Sequence, residues 1–288
     1  MPEDETMAVG GDAEVDQSGF GLAASIDDLT EEFVAASRRS LDWFGKPLEV
    51  GNKSASGFDP VTEADRHVED LIRSVILDRF PDHTVVGEER GHKQGSNQEV
   101  EWIVDPIDGT RAFITGRPMW GTLVGVRVSG VPVAGWMHVP VLDHTYVGFA
   151  GRATFADSSQ SGATSDMSEL STRPTQSLAE AVLFSTHPSM FVGTDTTAFD
   201  RLEKSVRLSR FDGDCVNYGL LAAGFGDLVV ENQLQPYDIV PLVPIIEGAG
   251  GVVTDIDGGQ VGSGWAVAAA TQELHAEALA ILRGSPVS

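Results

Sequence analysis

Residues 102–110 of the chain read Trp-Ile-Val-Asp-Pro-Ile-Asp-Gly-Thr. The three apolar residues predict a short buried strand, and the acidic residues follow where that strand ends. The proline fixes its own φ angle and the glycine permits a tight backbone path, so Asp105 and Asp108 can turn toward one point with the carbonyl group of Ile107 between them. Because an Asp-Pro-x-Asp-Gly stretch is also common turn chemistry, its meaning depends on the rest of the chain.

Three further segments carry acidic residues where secondary structure is predicted to start or end. Glu88 and Glu89 follow an apolar strand at 84–86, and Asp238 stands at the start of a helix. Asp65 is the third residue after a threonine, which is the spacing of a helix capping box. Each of these groups alone has a structural interpretation, as a solvated charge pair or a helix cap. Together they predict one acidic cluster, because active sites collect in loops at the ends of strands.

A cluster of this kind predicts a cation site. Carboxylates that approach one another without neutralisation repel strongly at reduced dielectric, and their pKa values rise. Mg²⁺ takes oxygen ligands in near-octahedral geometry and keeps several waters, so a few carboxylates and a substrate phosphate are enough to hold it. We therefore expect magnesium to be the cofactor of the acidic cluster.

The composition limits the partners of this protein. The chain has 288 residues, a hydrophobic content of 41%, a net charge of -24 and an isoelectric point near 4.4. This charge opposes binding to nucleic acid or to an anionic membrane, and it leaves small ligands and metal cations as expected partners. We find neither the basic start of a signal peptide nor the ~18 consecutive apolar residues of a membrane span. The single cysteine, Cys215, excludes an intramolecular disulfide, so a reducing cytoplasm is the simplest compartment.

The pattern of apolar residues divides the chain into three parts. Residues 1–24 are acidic, rich in small residues and without sustained periodicity, which predicts a flexible arm. Residues 25–155 predict an α+β half that carries the acidic segments up to Asp108. Residues 156–288 begin in a stretch rich in Ser, Thr, Gly and Gln and predict an α/β half that carries Asp238. Such mixed elements fold in layers around a core.

The periodicity also predicts individual elements. The predicted helices are 25–44, 62–80, 196–204, 216–223, 239–247 and 273–282. The predicted strands are 84–86, 102–104, 120–128, 133–138, 145–149, 181–185, 228–231, 252–254 and 266–269. A polar insertion at 91–97 is expected to separate the first two strands.

In combination, the acidic segments resemble the inositol monophosphatase family of metal-dependent phosphatases, which also includes histidinol-phosphate phosphatases. The similarity runs from about Leu29 to the last predicted helix, and the motifs stand in the order that the family has. The matching stretches are Val61–Asp65, Gly87–Glu89, Trp102–Thr110, Pro236–Asp238 and Glu247–Gly251. The resemblance implies a layered αβαβα sandwich of the α/β (α+β) class, hydrolysis of a small phosphomonoester, two or three Mg²⁺ ions and a homodimer.

The resemblance also implies roles for individual residues. The metal ligands would be Glu88, Asp105, the carbonyl group of Ile107, Asp108 and Asp238. The catalytic residues would be Glu88, Thr110 and Asp65. Thr110 would orient the attacking water, and Asp65 would support Thr110. The substrate would contact Asp108, Gly109, Thr110, Asp214, Glu231 and Asp238. The physics fits these roles, because divalent ions make water nucleophilic at neutral pH and N–H groups at a helix start bind phosphate.

Three stretches are similar to the histidinol-phosphate branch of the family, namely Thr110–Pro118, Trp120–Leu123 and Gly213–Cys215. In the family, the regions of Asp214 and Glu231 face the organic part of the substrate. An acidic pair there suits a cationic amine or an imidazolium as well as it suits hydroxyl groups, so L-histidinol phosphate is the expected substrate. Two alternatives stay open. One is a phosphatase for inositol phosphate or another sugar phosphate, and the other is a non-catalytic regulatory or RNA-associated protein on the same fold.

Overall fold

The computed structural model describes residues 21–47, 49–53, 60–159 and 167–284. Most of the predicted N-terminal arm and residues 160–166 of the predicted boundary stretch lie outside these ranges. Leu22, at the end of the predicted arm, is fully buried in the first core. Among the described residues, no helix combines the length and the apolar character needed to cross a bilayer.

The part of the chain that forms the large sheet, from Ile26 to Glu169, contains three α-helices and ten strands within the described ranges. The helices are α1 (Ile26–Arg38), α2 (Glu63–Arg79) and α3 (Thr110–Ile114). The strands are β1 (Gly51–Asn52), β2 (Pro60–Val61), β3 (His83–Gly87), β4 (Gly91–Lys93), β5 (Asn97–Asp108), β6 (Gly121–Val128), β7 (Val131–Val139), β8 (His144–Phe149), β9 (Arg152–Asp157) and β10 (Ser168–Glu169). Strands β1 and β2 pair with each other, and the others form one sheet in the order β10-β9-β8-β7-β6-β5-β3-β4. In this sheet β3 and β5 are parallel and the other neighbours are antiparallel.

The second half has a smaller sheet. Its helices are α4 (Thr194–Glu203), α5 (Val216–Ala222), α6 (Pro236–Ile239), α7 (Val243–Gly248) and α8 (Gln272–Leu282). Its strands are β11 (Val182–Ser185), β12 (Leu208–Phe211), β13 (Leu228–Leu234), β14 (Val252–Thr254) and β15 (Gly264–Ala269). They stand in the order β12-β11-β13-β15-β14 among the described residues, with β11 parallel to both of its neighbours.

Three of the hydrophobic cores in the described part of the chain hold these elements in five layers. The first lies between α1, α2 and the outer face of the large sheet, where Phe33 meets Trp136 edge to face. The second lies between the two sheets and contains the buried faces of α5 and α7. The third joins the small sheet to α4 and α8. This arrangement confirms the predicted αβαβα sandwich, and it arises because each amphipathic element must bury one face against another layer.

A row of glycines brings the middle helical layer close to the large sheet. The row crosses three strands in register and consists of Gly125, Gly135 and Gly148. A Cβ atom on Gly135 would lie 1.8 Å from the carbonyl oxygen of Pro241. Without side chains in the row, the segment 240–248 lies directly on the sheet, and this segment begins two residues after Asp238.

Several predicted elements differ from the structure in their bounds. The helix predicted at 25–44 ends at Arg38 and is followed by a 3-10 turn over Arg39–Asp42. The strand predicted at 102–104 is the twelve-residue β5, because it pairs with both β3 and β6, and the preceding polar insertion contains β4. The helix predicted at 239–247 is divided into α6, a 3-10 turn and α7. The prolines at 241 and 244 explain this division, since a proline has no N–H group for the helical ladder.

Candidate metal centre

Three of the predicted ligands converge in space. Asp105, Asp108 and Asp238 each offer a carboxylate oxygen, and these oxygens all lie within 4.8 Å of one another. Two of them come from the end of β5 in the first half, and the third comes from the start of α6 in the second half. The centre therefore requires that the two halves be packed together.

An irregularity in β5 turns its two aspartates toward the centre. The pairing of β5 with β6 shifts register between Asp105 and Asp108, as in a β-bulge, which redirects side chains at the end of a strand. Asp105 Oδ1 accepts a hydrogen bond from the N–H of Ile107 at 3.0 Å. Asp108 Oδ2 accepts one from the N–H of Cys215 at 2.6 Å, a contact that spans the two halves.

A cap at the N-terminus of α6 orients Asp238. Its Oδ2 atom accepts the N–H of Gln235 at 2.7 Å, as the reciprocal half of a capping box. Pro236 stands in the first turn, where a missing N–H costs no helical hydrogen bond. The cap therefore fixes one oxygen of Asp238 to the backbone and orients the carboxylate at the centre.

Glu88 lies beside this group. Its negative charge contributes to the raised pKa of Asp105. On its other side, Glu88 Oε1 forms an ion pair with Lys53 Nζ at 2.7 Å, and the same ammonium group contacts Glu89 at 2.8 Å. The structure thus brings four of the predicted side-chain ligands into one region.

The electrostatics of the centre favour a bound cation. Burial raises the pKa of Asp105 and of Asp108 well above the ordinary value, and the neighbouring charges of Glu88 and Asp214 raise them further. Burial also raises the pKa of Asp238 from 3.8 to about 7. Oxygen donors with excess negative charge are the ligands that Mg²⁺ takes, so these residues fit the predicted ion.

These pKa shifts predict how pH and metal together affect stability. A carboxyl group whose pKa is raised by folding binds a proton that the unfolded chain has released, so the free energy of unfolding falls as the pH rises from the ordinary value toward the raised one. For Asp238 this window runs from 3.8 to about 7. We expect the rise in Tm caused by Mg²⁺, relative to EDTA, to grow between about pH 5 and about pH 8. A Mg²⁺ effect that is equal at both pH values would contradict this prediction.

Thr110 and Asp65, the predicted water-orienting pair, hydrogen-bond within their own segments. Thr110 Oγ1 donates to the carbonyl oxygen of Ile107 at 3.0 Å. Asp65 Oδ2 accepts the N–H of Thr62 at 2.8 Å and completes the predicted capping box. Among the residues that the structure describes, the other oxygen of Asp65 is buried and has no hydrogen-bond partner. Burial, with a contribution from Glu88, raises the pKa of Asp65 to about 6. A contact between Asp65 and Thr110 stays a prediction.

Gly109 links the metal centre to the predicted substrate region. It has a φ angle of +86° and immediately precedes α3, which begins at Thr110. A Cβ atom on Gly109 would lie 3.1 Å from Asp214 Oδ2. Glycine adopts this left-handed backbone conformation without steric cost. Because it has no side chain, it also leaves space for the Asp214 carboxylate.

The two predicted substrate-reading acids have different surroundings. Asp214, with a φ angle of +45°, follows β12, and burial, together with the charges of Glu231 and Asp212, raises its pKa to about 7. Glu231 is 3% exposed, and its carboxylate accepts hydrogen bonds from the N–H of Thr186 at 2.8 Å and the hydroxyl of Tyr218 at 3.0 Å. Whether these acids contact a substrate stays a prediction.

Sequence reasoning missed several residues that hold the centre. Tyr218 and Thr186 fix Glu231, and Glu69 with Arg73 on α2 hold the backbone of the Glu89 segment. The spacing of Asp65, Glu69 and Arg73 by four residues was a signal that could have found the last two, because such residues share one face of a helix. No local signal pointed to Thr186.

Comparisons with known proteins identify the family and the fold to which this chain is similar. The model of the inositol monophosphatase family matches residues 29–286. The chain is 37% identical over 217 residues to the bifunctional phosphatase IMPL2, chloroplastic, of Arabidopsis thaliana, which covers 75% of this chain and 60% of the relative. It is 34% identical over 227 residues to a histidinol-phosphatase of Chlorobaculum parvum, covering 78% and 83% of the two chains. An inositol monophosphatase structure from Zymomonas mobilis superposes with a TM-score of 0.76 at 32% identity, over 93% of this chain and all of the other.

Proposed function

Because this chain belongs to the inositol monophosphatase family, whose members are phosphatases, we propose that it is a magnesium-dependent histidinol-phosphatase. The reaction would convert L-histidinol phosphate and water to L-histidinol and phosphate. The observation that carries the proposal is the acidic environment of Asp214 beside Gly109 and the metal centre. The similarity to a histidinol-phosphatase supports the same substrate.

The residues of this chain would divide the work of the reaction. Glu88, Asp105, Asp108 and Asp238, with the Ile107 carbonyl, would hold two or three Mg²⁺ ions. The chemistry that Mg²⁺ supplies when bound is Lewis-acid polarisation of phosphoryl oxygens and of water. Thr110, with Asp65, would orient the attacking water, and the backbone at Gly109 and Thr110 would contact the phosphate group. The burial of Asp105 would exclude other water from its side of the centre.

Asp214 would distinguish between substrates by charge. Its raised pKa means that the surrounding protein disfavours the ionised form of Asp214. A cation placed beside it would stabilise that carboxylate. L-histidinol phosphate carries an ammonium group and an imidazole ring, whereas inositol phosphate presents only hydroxyl groups beside its phosphate. A charge-assisted hydrogen bond is about twice as strong as a neutral one, which favours the cationic substrate.

The hydrogen bonds of Glu231 favour a second candidate. Its carboxylate is already hydrogen-bonded to Thr186 and Tyr218, so Asp214 would be the main residue that recognises the organic part of the substrate. A site in which Glu231 is already hydrogen-bonded also accommodates hydroxyl groups, as in inositol phosphate or another sugar phosphate. The third alternative, a non-catalytic binding protein, is disfavoured by the convergence of three intact acidic side chains.

A phosphate-release panel tests the substrate. Purified protein with Mg²⁺ would be given L-histidinol phosphate, inositol 1-phosphate, fructose 1,6-bisphosphate and adenosine 3′,5′-bisphosphate. We expect the highest kcat/KM for L-histidinol phosphate. A higher value for inositol phosphate would assign the second candidate, and no release from any substrate would favour the non-catalytic alternative.

Asp214→Asn is expected to reduce kcat/KM for L-histidinol phosphate by about tenfold or more, and to reduce it much less for p-nitrophenyl phosphate. The reason is that a charge-assisted hydrogen bond contributes about 1.5–3 kcal/mol. Because p-nitrophenyl phosphate has no cationic group, it forms no such bond with Asp214, and the substitution removes none. The measurement is phosphate release from both substrates at saturating Mg²⁺. The control is Asp257→Asn, in an exposed turn after β14. Equal losses on both substrates would show that Asp214 does not read the cation.

We further propose that the protein works as a homodimer in the cytoplasm. The family resemblance supports the dimer, and the single cysteine fits a reducing compartment. Light scattering on the purified protein checks the assembly, with a mass twice that of the 30.6 kDa chain as the expected result.

A further inference from the structure

One face of α2 carries a buried row of charged residues. Asp65, Glu69 and Arg73 follow one another at intervals of four, which places them on the same side of the helix. Asp65 and Glu69 are fully buried and Arg73 is 9% exposed. Burying charges in this way is unfavourable unless they are paired and hydrogen-bonded, so their partners show what the row is for.

The partners of Glu69 and Arg73 are backbone groups of one turn, residues 87–91. Glu69 Oε2 accepts the N–H of Glu89 at 2.6 Å, and Oε1 accepts the N–H of Arg90 at 3.1 Å. Arg73 Nε donates to Glu69 Oε1 at 2.7 Å, and its Nη2 donates to the carbonyl oxygen of Gly91. The ion pair therefore holds two N–H groups and one carbonyl group of the turn.

This turn carries Glu88, a predicted metal ligand. A Cβ atom on Gly87 would lie 2.1 Å from Glu69 Oε1, so the chain passes directly over the buried carboxylate. On the opposite side, the N–H of Glu88 donates to the carbonyl oxygen of Val104 on β5 at 3.1 Å. The backbone of the turn is thus fixed both to α2 and to the strand that carries Asp105.

The turn needs such fixing because its side chains are repelled by the centre. The N–H of Glu88 is bonded to the residue before Asp105, whose carboxylate converges with two others. Negative groups placed this close together repel one another. A turn held only by its ends would relax away from this repulsion and carry Glu88 out of reach. Hydrogen bonds from a buried, rigid helix oppose that movement.

We propose that the Glu69–Arg73 ion pair is a positioning device that holds turn 87–91 so that Glu88 faces the cation site. The inference rests on the proposed function in so far as it takes that site to bind a divalent cation. Neither residue touches the substrate or the cation in this role. They act through the backbone of the turn.

The test is a titration of the purified full-length protein with Mn²⁺, which takes the same oxygen ligands as Mg²⁺ and can be followed by calorimetry and by electron paramagnetic resonance. Glu69→Gln keeps the shape of the side chain but replaces one acceptor oxygen by an NH₂ group, so one of the three donors loses its partner. We expect Mn²⁺ affinity to fall by about 10- to 100-fold, as for other groups that orient metal ligands. At saturating metal, kcat should recover most of its wild-type value.

Two further variants separate positioning from folding. Arg73→Lys keeps the charge but loses the planar fork that reaches both Glu69 and Gly91, and it should weaken Mn²⁺ binding to a smaller extent. The control is Glu101→Gln, which breaks a partly exposed Glu–Arg ion pair, with Arg127 at 2.6 Å, between strands β5 and β6. That variant should bind Mn²⁺ like the wild type.

Each outcome decides the proposal. Unchanged Mn²⁺ affinity in a folded Glu69→Gln protein, even with a lower Tm, would show that the ion pair only stabilises the fold. If Glu69→Gln does not fold, Arg73→Lys decides in the same way. A wild-type protein that binds no Mn²⁺ would overturn both the metal site and this positioning role, whereas Mn²⁺ binding without phosphate release would overturn the proposed function alone.

Discussion

Asp108→Asn is expected to abolish phosphate release while leaving the fold intact. Asp108 is one of the three carboxylates that converge within 4.8 Å, and asparagine has the same shape but no charge with which to hold a cation. Metal ions contribute several kcal/mol of transition-state stabilisation, so kcat/KM should fall by about 10³-fold or more. The measurement is phosphate release at saturating Mg²⁺, together with circular dichroism.

The same variant has a second expected result that does not depend on activity. Burial raises the pKa of Asp108 in the folded protein, so its ionised form is unfavourable in the absence of metal. The Tm of Asp108→Asn in EDTA at neutral pH should therefore equal or exceed that of the wild type. The control for activity is again Asp257→Asn. Near-normal turnover by the Asp108 variant would refute the assignment of this residue as a ligand.

Gly135→Ala is expected to cause a large loss of stability. The added Cβ atom would lie 1.8 Å from the carbonyl oxygen of Pro241, which is backbone and cannot rotate away. Overpacking of a close-packed interior costs about 1–3 kcal/mol and sometimes more, and here the strand or the segment 240–248 has to move. Urea unfolding followed by circular dichroism should show a lower midpoint or no folded protein.

A movement of segment 240–248 should also affect the metal centre, because Asp238 lies only two residues before it. Any folded fraction of Gly135→Ala is therefore expected to bind Mn²⁺ more weakly. Gly262→Ala is the matched control, since nothing lies within 4 Å of the added atom. Wild-type stability in Gly135→Ala would mean that the contact between the sheet and Pro241 is not close in solution.

Local patterns predicted the elements whose determinants are local. The apolar spacing of α2 and its capping box at Thr62 and Asp65 are contained within a few consecutive residues, and both are confirmed. The length of β5 was not predictable in this way, because its polar first residues become a strand only by pairing with neighbours on both sides. The division of the helix at 239–247 was predictable from its prolines, and the apolar periodicity alone concealed it.

The sequence by itself determined which residue types could form the centre, since the acidic segments and their spacing are properties of the chain. Only the tertiary structure decided that Asp105, Asp108 and Asp238 meet, that Glu231 is already bound to Tyr218, and that Glu69 holds the turn of Glu88. The physical reason is that these contacts join residues far apart along the chain, as when Cys215 donates to Asp108. Such contacts depend on how the layers pack against one another, and the pattern of neighbouring residues along the chain does not specify that packing.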